Sequence, residues 1–124
     1  MKNILIIDDS QALCEVLLQA LDDKRYEVIS RYSGQEGHGV LEDRDDIDLM
    51  ICDLNLPGLG GLELVEKARQ MDRHKLLPVI IISGDKSEEL VKEARRLGVK
   101  AWMTKPLDPI KIASMIDDFM AEVT

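Results

Sequence analysis

Ile4-Leu5-Ile6-Ile7-Asp8-Asp9-Ser10 reads as a strand that stops at two acids and hands over to a helix. Four consecutive apolar residues without alternation predict a strand covered on both faces, the habit of parallel sheets flanked by helices. Ser10 is a suitable N-cap, and Leu13, Leu17, Ala20 and Leu21 beyond it share one helical stripe. The same grammar repeats down the chain. A weaker strand over residues 26–30 precedes a helical segment over 34–42, which Gly34, Gly37 and Gly39 should make frail. Leu49 to Cys52 forms a third strand ending at Asp53. A loop through Pro57, Gly58, Gly60 and Gly61 then leads to a helix carrying Leu64, Val65, Ala68 and Met71. Pro78 introduces a fourth strand, Val79 to Ile82, that ends at Ser83. Ser87 is placed to cap the next helix, and Gly98 to end it in a left-handed conformation. Ala101 to Thr104 forms a short fifth strand, followed by Lys105-Pro106. Asp108-Pro109 then opens a last helix with Ile112, Ile116, Phe119 and Val123 facing inward. Alternating βα units predict an α/β fold with a doubly wound, five-stranded parallel sheet, one domain over residues 1–124 with no linker and no second domain.

Composition supports that reading and removes other classes. The 124 residues, 45% hydrophobic and 32% charged, suffice for one packed core. With 24 acidic against 16 basic residues the net charge is -8, a field that repels phosphate backbones and anionic bilayers. No direct nucleic-acid or membrane partner is therefore expected. The apolar run at residues 4–7 is too short for a signal core or a membrane span. Cys14 and Cys52 lack a CxxC spacing and read as reduced thiols of an intracellular chain. His38 and His74 are isolated, so a His/Cys metal cluster has little support.

Asp8-Asp9, Asp53, Ser83 and Lys105 each follow a predicted strand. In an open parallel sheet the strand C-terminal ends share one edge, where ligands bind. Any one of these residues alone reads as a turn or solvent-facing side chain; together they place three carboxylates, a hydroxyl and an ammonium at one rim. Clustered carboxylates repel and raise one another's pKa unless a cation joins them. Magnesium suits such hard oxygen donors. A cation with a lysine beside it makes the pocket receptive to a phosphoryl group, and a carboxylate there can act as nucleophile to give an aspartyl-phosphate.

These residues resemble the receiver domain of two-component response regulators, the CheY-like, flavodoxin-like family, and the resemblance covers essentially the whole chain. It implies strand order 2-1-3-4-5. It also implies that Asp8, Asp9 and Asp53 bind Mg²⁺ with the carbonyl of Asn55, and that Asp53, in Cys-Asp-Leu-Asn-Leu-Pro-Gly, is phosphorylated. Ser83 and Lys105 would hold the phosphoryl oxygens, and the bond before Pro106 would be cis. The implied partners are a histidine kinase or histidine phosphotransfer protein upstream and a protein target or effector domain downstream. The implied output face is the fourth helix, fifth strand and fifth helix of a cytoplasmic monomer or weak dimer. Such a domain catalyses only its own phosphorylation and dephosphorylation. The sequence departs from the family pattern at Ser83, where Thr is commoner, at Gly60, where Asp or Asn often precedes the third helix, and at Trp102, where Tyr or Phe is usual. Trp102 is either a switch residue or a half-buried packing residue. Asn55 and Asp85 lie two positions beyond Asp53 and Ser83, where the family tunes hydrolysis. Asp85 either speeds loss of the phosphoryl group or is a plain loop acid.

Gly34-Gln35-Glu36-Gly37-His38-Gly39 lacks the lysine a phosphate loop needs, since Val40 follows, and Glu63 stands where a dinucleotide fingerprint from Gly58 needs its last glycine. An aspartate-nucleophile phosphatase of the haloacid-dehalogenase type would need an acid at Ser10, and acids after the first strand would repel the phosphate of a flavodoxin's FMN. Two alternatives stay open: a small Mg-dependent phosphatase acting through an aspartyl-phosphate, and a degenerate receiver serving only as an interaction module.

Overall fold

The computed structural model describes residues 1–21 and 23–122. Five parallel strands, β1 (Lys2–Ile7), β2 (Tyr26–Arg31), β3 (Leu49–Asp53), β4 (Val79–Ser83) and β5 (Ala101–Thr104), form one sheet in the order β2-β1-β3-β4-β5. Five α-helices connect or follow them: α1 (Gln11–Ala20), α2 (Gly34–Asp43), α3 (Gly61–Arg69), α4 (Glu88–Arg96) and α5 (Pro109–Glu122). The expected fold and strand order are both present. β1 begins two residues before the apolar run, because Lys2 and Asn3 pair with Tyr26 and Glu27 of β2.

The two-residue period of a strand divides the core. Ile4 and Ile6 pack with Cys14 and Leu17 of α1 and with Ile112, Ile116 and Met120 of α5. Leu5 and Ile7 pack on the opposite face with Val40 and Leu41 of α2 and with Leu64, Val65 and Ala68 of α3. β3 and β4 are buried along their whole length, as unbroken apolar runs require. No helix among the described residues is long and apolar enough to cross a membrane.

The caps follow their chemistry with one exception. Ser10 accepts from the Leu13 amide at the start of α1, and Ser33 from the Glu36 amide at the start of α2. Asp108 Oδ1 accepts from Ile110 and Lys111 as α5 opens on Pro109. Gly98, at φ 77°, follows α4, and its turn lets Val99 N–H reach the Ala94 carbonyl. Ser87 occupies the N-cap of α4 but makes no side-chain cap bond; Glu88 and Glu89 in the first turn complement the helix dipole instead.

Three details differ from the sequence reading. Two of the three glycines of α2 serve close packing, and the helix is complete: a Cβ on Gly34 would collide with the Leu59 carbonyl, and one on Gly37 with the Ile7 side chain. Met71 lies beyond α3, which ends at Arg69, and packs on the core just ahead of a 3-10 turn at Asp72–His74. Arg69 pins that corner, donating to the carbonyls of Leu97 and His74. His74 is buried, with Nε2 2.7 Å from the Leu41 carbonyl, so it fastens the turn to α2. Phe119 is half-buried on the α5 face; Val123 lies outside the described residues.

Gly60, the N-cap of α3, has no side chain to cap the helix, and its φ of -72° and ψ of 166° suit any residue. A Cβ there would press only on Glu63 Oε1, at 3.3 Å, the far end of an exposed side chain, and would meet the Leu54 carbonyl at an ordinary contact distance of 3.9 Å. Gly60→Ser should therefore raise the urea midpoint, stabilising by roughly 0.5–1 kcal/mol through the cap and a less flexible unfolded chain.

Candidate functional site

The parallel register brings four strand ends to one rim. Ile7 pairs with Cys52, so the next residues, Asp8 and Asp53, stand side by side. Asp53 pairs with Ile82, one residue before Ser83, and Ser83 pairs with Thr104, one residue before Lys105. Lys105 N–H bonds the Ser83 carbonyl at 2.8 Å, and the Lys105–Pro106 bond is cis. Asp8, Asp53 and Ser83 are buried, Lys105 is half-buried, and Asp9, Asn55 and Asp85 are exposed.

The charges converge. Lys105 Nζ lies 3.1 Å from Asp53 Oδ2 and 3.2 Å from Asp8 Oδ2. One carboxylate oxygen from each of Asp8, Asp9 and Asp53 lies within 4.8 Å of the other two. Burial pushes the Asp8 carboxyl above its ordinary value, and the Asp53 charge adds to it; the Ser10 N–H at 2.8 Å and Lys105 oppose the shift without cancelling it. On Lys105 the order reverses: burial alone would lower its pKa, but the hydrogen bond to Asp53 and the close negative charges of Asp8 and Asp53 hold the ammonium above its usual range.

One lysine cannot satisfy three carboxylates. Asp8 Oδ2 is buried and has no hydrogen bond, only the ion-pair contact to Nζ. A buried carboxylate oxygen left open toward two other acids is what a hard divalent cation would complete, and the all-oxygen donor set fits magnesium better than a softer metal. The backbone of residue 55 folds back over the site, with Asn55 N–H 3.3 Å from Asp53 Oδ1.

The remaining sequence candidates sit close by. Ser83 Oγ bonds neither Asp53 nor Lys105; it accepts from Asp85 N–H at 2.9 Å, which leaves the hydroxyl proton free to be donated. The Asp85 side chain turns to Lys86 N–H at 2.7 Å, into its own loop. Trp102 faces α4, half-buried against the core, and its indole Nε1 is buried without a partner. Gly61 is a site residue that the sequence reading took only for part of a loop. A Cβ there would run into the Asp53 carbonyl and lie 3.0 Å from Leu54 Cα, so the start of α3 presses directly on the backbone that carries Asp53.

Neutralising Asp8 tests this electrostatic arrangement. Because the folded protein holds the Asp8 pKa above its unfolded value, the charged carboxylate costs stability at neutral pH. In metal-free protein Asp8→Asn should melt higher than wild type, and the gap should close as pH falls through the raised pKa, where wild type is protonated too. Mg²⁺ at a hundredfold excess over its dissociation constant should stabilise wild type by about 2.7 kcal/mol and the variant by far less.

The comparisons with known proteins agree with the geometry. The family model described as response regulator receiver domain matches residues 4–117. Chemotaxis protein CheY1 of Helicobacter pylori is 32% identical over 107 residues, covering 86% of each chain. The phosphate regulon transcriptional regulatory protein PhoB of Pseudomonas aeruginosa is 29% identical over 115 residues; these cover 93% of this chain and 50% of PhoB, so the chain spans about half the length of that relative. The CheY-like response regulator receiver domain protein of Methanospirillum hungatei superposes with a TM-score of 0.89 at 30% identity, covering 98% of this chain and 95% of that one.

Proposed function

The chain belongs to the response regulator receiver domains, phosphoacceptors of two-component signalling, and on that premise we propose that Asp53 is the acceptor. The observation that carries the assignment is Lys105 Nζ, poised between Asp53 Oδ2 at 3.1 Å and Asp8 Oδ2 at 3.2 Å. The donor is a phosphohistidine on a histidine kinase or phosphotransfer protein. An Asp53 carboxylate oxygen attacks phosphorus, the P–N bond breaks, and the imidazole leaves with the electron pair and takes a proton.

Asp8, Asp9, Asp53 and the Asn55 carbonyl would hold Mg²⁺, which supplies neutralising charge for the phosphoryl oxygens when bound. The protein's own work is alignment. The rim sets Asp53 beside two other acids, so a phosphoryl group there needs the compensating charge of a cation. The Lys105 ammonium, already paired with Asp53, follows the negative charge onto the new phosphate. Ser83, its oxygen occupied by Asp85 N–H, has its proton to offer to a phosphoryl oxygen. Asp53 modification then biases a two-state equilibrium that a downstream protein or effector domain reads.

The domain, spanning residues 1–124, modifies only itself and acts in the cytoplasm, with Cys14 and Cys52 as free buried thiols. Trp102, on the strand leading to Lys105, is either the residue through which α4 senses the site or a half-buried packing residue, and Asp85, whose carboxylate bonds Lys86 N–H, either speeds loss of the phosphoryl group or is a plain loop acid. The metabolite-phosphatase alternative is not favoured by any relative reported above.

Acetyl phosphate tests the reading without a cognate kinase. Intact mass should show one added phosphoryl group per chain with Mg²⁺ present and none with a chelator. Steady release of phosphate from many generic esters without a labelled protein would point to a phosphatase instead.

A further inference from the structure

At the edge of the sheet where the strands begin, opposite the acidic rim, the turn between α3 and β4 carries two leucines in succession. Leu77 turns inward and is buried. Leu76 is thrown outward, and at 92% it is the most exposed large apolar side chain among the described residues. The turn that presents it is held on several sides. Leu77 N–H bonds the His74 carbonyl at 3.2 Å, and His74 N–H bonds the Met71 carbonyl at 2.9 Å. Arg69 donates to the His74 carbonyl, Arg73 to the Glu42 carbonyl, and the His74 ring bonds the Leu41 carbonyl. Leu76 thus stands on a fixed platform, and little ordering is left to be done when a partner covers it.

Leu76 is also one wall of a cleft. The cleft, about 520 Å³, has an apolar floor of Ile47, Leu77 and Pro78. Charges of both signs surround it, Asp48 and Asp72 against Arg73 and Lys75, so it has no net formal charge on a chain of -8. Asp72 and Lys75 are paired with each other at 3.0 Å, and both are exposed.

A protruding leucine beside an apolar hollow is complementary to a second copy of itself. A two-fold axis next to Leu76 seats the leucine of each copy on the Ile47, Leu77 and Pro78 floor of the other. The same axis sets each Asp72–Lys75 pair antiparallel to its counterpart, acid facing base on both sides. A strongly charged partner has nothing to favour it here. Two copies of an acidic chain, by contrast, meet with least repulsion where the local charge cancels.

We propose that this cleft is a two-fold interface through which two copies of the chain associate, Leu76 of each entering the cleft of the other. The patch is smaller than the about 20–30 residues a side of a standard interface, so the dimer is weak and depends on concentration. None of the lining belongs to α4, β5 or α5, and both acidic rims stay open. The association is therefore independent of phosphorylation and of the phosphoacceptor reading.

Sedimentation velocity over a concentration series tests it. Wild type should move from the 14.0 kDa monomer toward twice that mass as concentration rises, equally with and without acetyl phosphate. Leu76→Glu should weaken association at least tenfold. Its urea midpoint and its labelling by acetyl phosphate should stay those of wild type, because the side chain is exposed and lies at the far end of the sheet from the rim. Asp72→Lys and Lys75→Asp should each associate at least tenfold more weakly alone, and their equimolar mixture should recover the wild-type affinity, since each then meets its opposite across the axis. Monomer alone at about 1 mM would overturn the proposal. So would a dimer indifferent to Leu76→Glu, or one that forms only after phosphorylation, because either places the contact on another face. A mixture that fails to recover while Leu76→Glu still dissociates the wild-type dimer would overturn the two-fold pairing of Asp72 with Lys75.

Discussion

Asp53→Asn is expected to abolish phosphoryl incorporation from acetyl phosphate while leaving the fold intact. The amide keeps the shape of the carboxylate and can still accept the Asn55 N–H, so β3 and its neighbours have no reason to shift. What disappears is the anionic oxygen that attacks phosphorus and the charge that holds the Lys105 ammonium at 3.1 Å. Labelling should fall to background rather than by a modest factor, because Asp8 and Asp9 stand beside the reacting position but not at it. Circular dichroism and the urea midpoint separate this loss from unfolding. Residual labelling near the wild-type level would mean that another acid of the trio is the acceptor.

Gly61→Ala carries the second large effect, through packing. The added methyl has backbone on two sides, the Asp53 carbonyl and Leu54 Cα, and neither can rotate away as a side chain would. Overpacking of this kind costs typically about 1–3 kcal/mol, and more where backbone must move. The displaced strand end is the one that carries the acceptor, and a shift of about 1 Å in a reacting group can lower a rate by about a hundredfold. We therefore expect Gly61→Ala both to lower the urea midpoint and to slow labelling disproportionately. Two controls locate the cause. Gly34→Ala meets the Leu59 carbonyl instead, and should lose comparable stability with a smaller effect on labelling. Gly39→Ala has open space around its Cβ and sits inside α2, so it should be neutral or stabilising by up to about 1 kcal/mol. If all three variants behaved alike, the contact between α3 and the Asp53 backbone would not be what matters.

The same glycines show where sequence reading reached its limit. Strands β1, β3 and β4 were legible because burial on both faces leaves nothing but apolar side chains, and each run ends at the polar residue that forms the rim. Asp8, Asp53, Ser83 and Lys105 could thus be placed on one edge from order alone. Nothing in the order of letters distinguishes a glycine needed for flexibility from one needed for contact, and Gly34, Gly37 and Gly61 are of the second kind. The inequality of the two adjacent acids was equally hidden. Successive residues leaving a strand diverge, so Asp8 turns inward to full burial while Asp9 stays in solvent. His74 looked isolated because its partner, the Leu41 carbonyl, belongs to the backbone, which the sequence pattern does not mark. The engagement of Ser83 with the Asp85 amide is a loop geometry of the same kind.

The most direct test of the assignment is to locate the modification chemically. Protein incubated with acetyl phosphate and Mg²⁺ is trapped with borohydride, which reduces an acyl phosphate on aspartate to a homoserine residue, and the digest is sequenced by tandem mass spectrometry. Conversion confined to Asp53, and absent when magnesium is chelated, is the predicted result. Conversion at Asp8 or Asp9, spread over surface acids, or undiminished without the metal would contradict the assignment of this rim as a cation-assisted phosphoacceptor site.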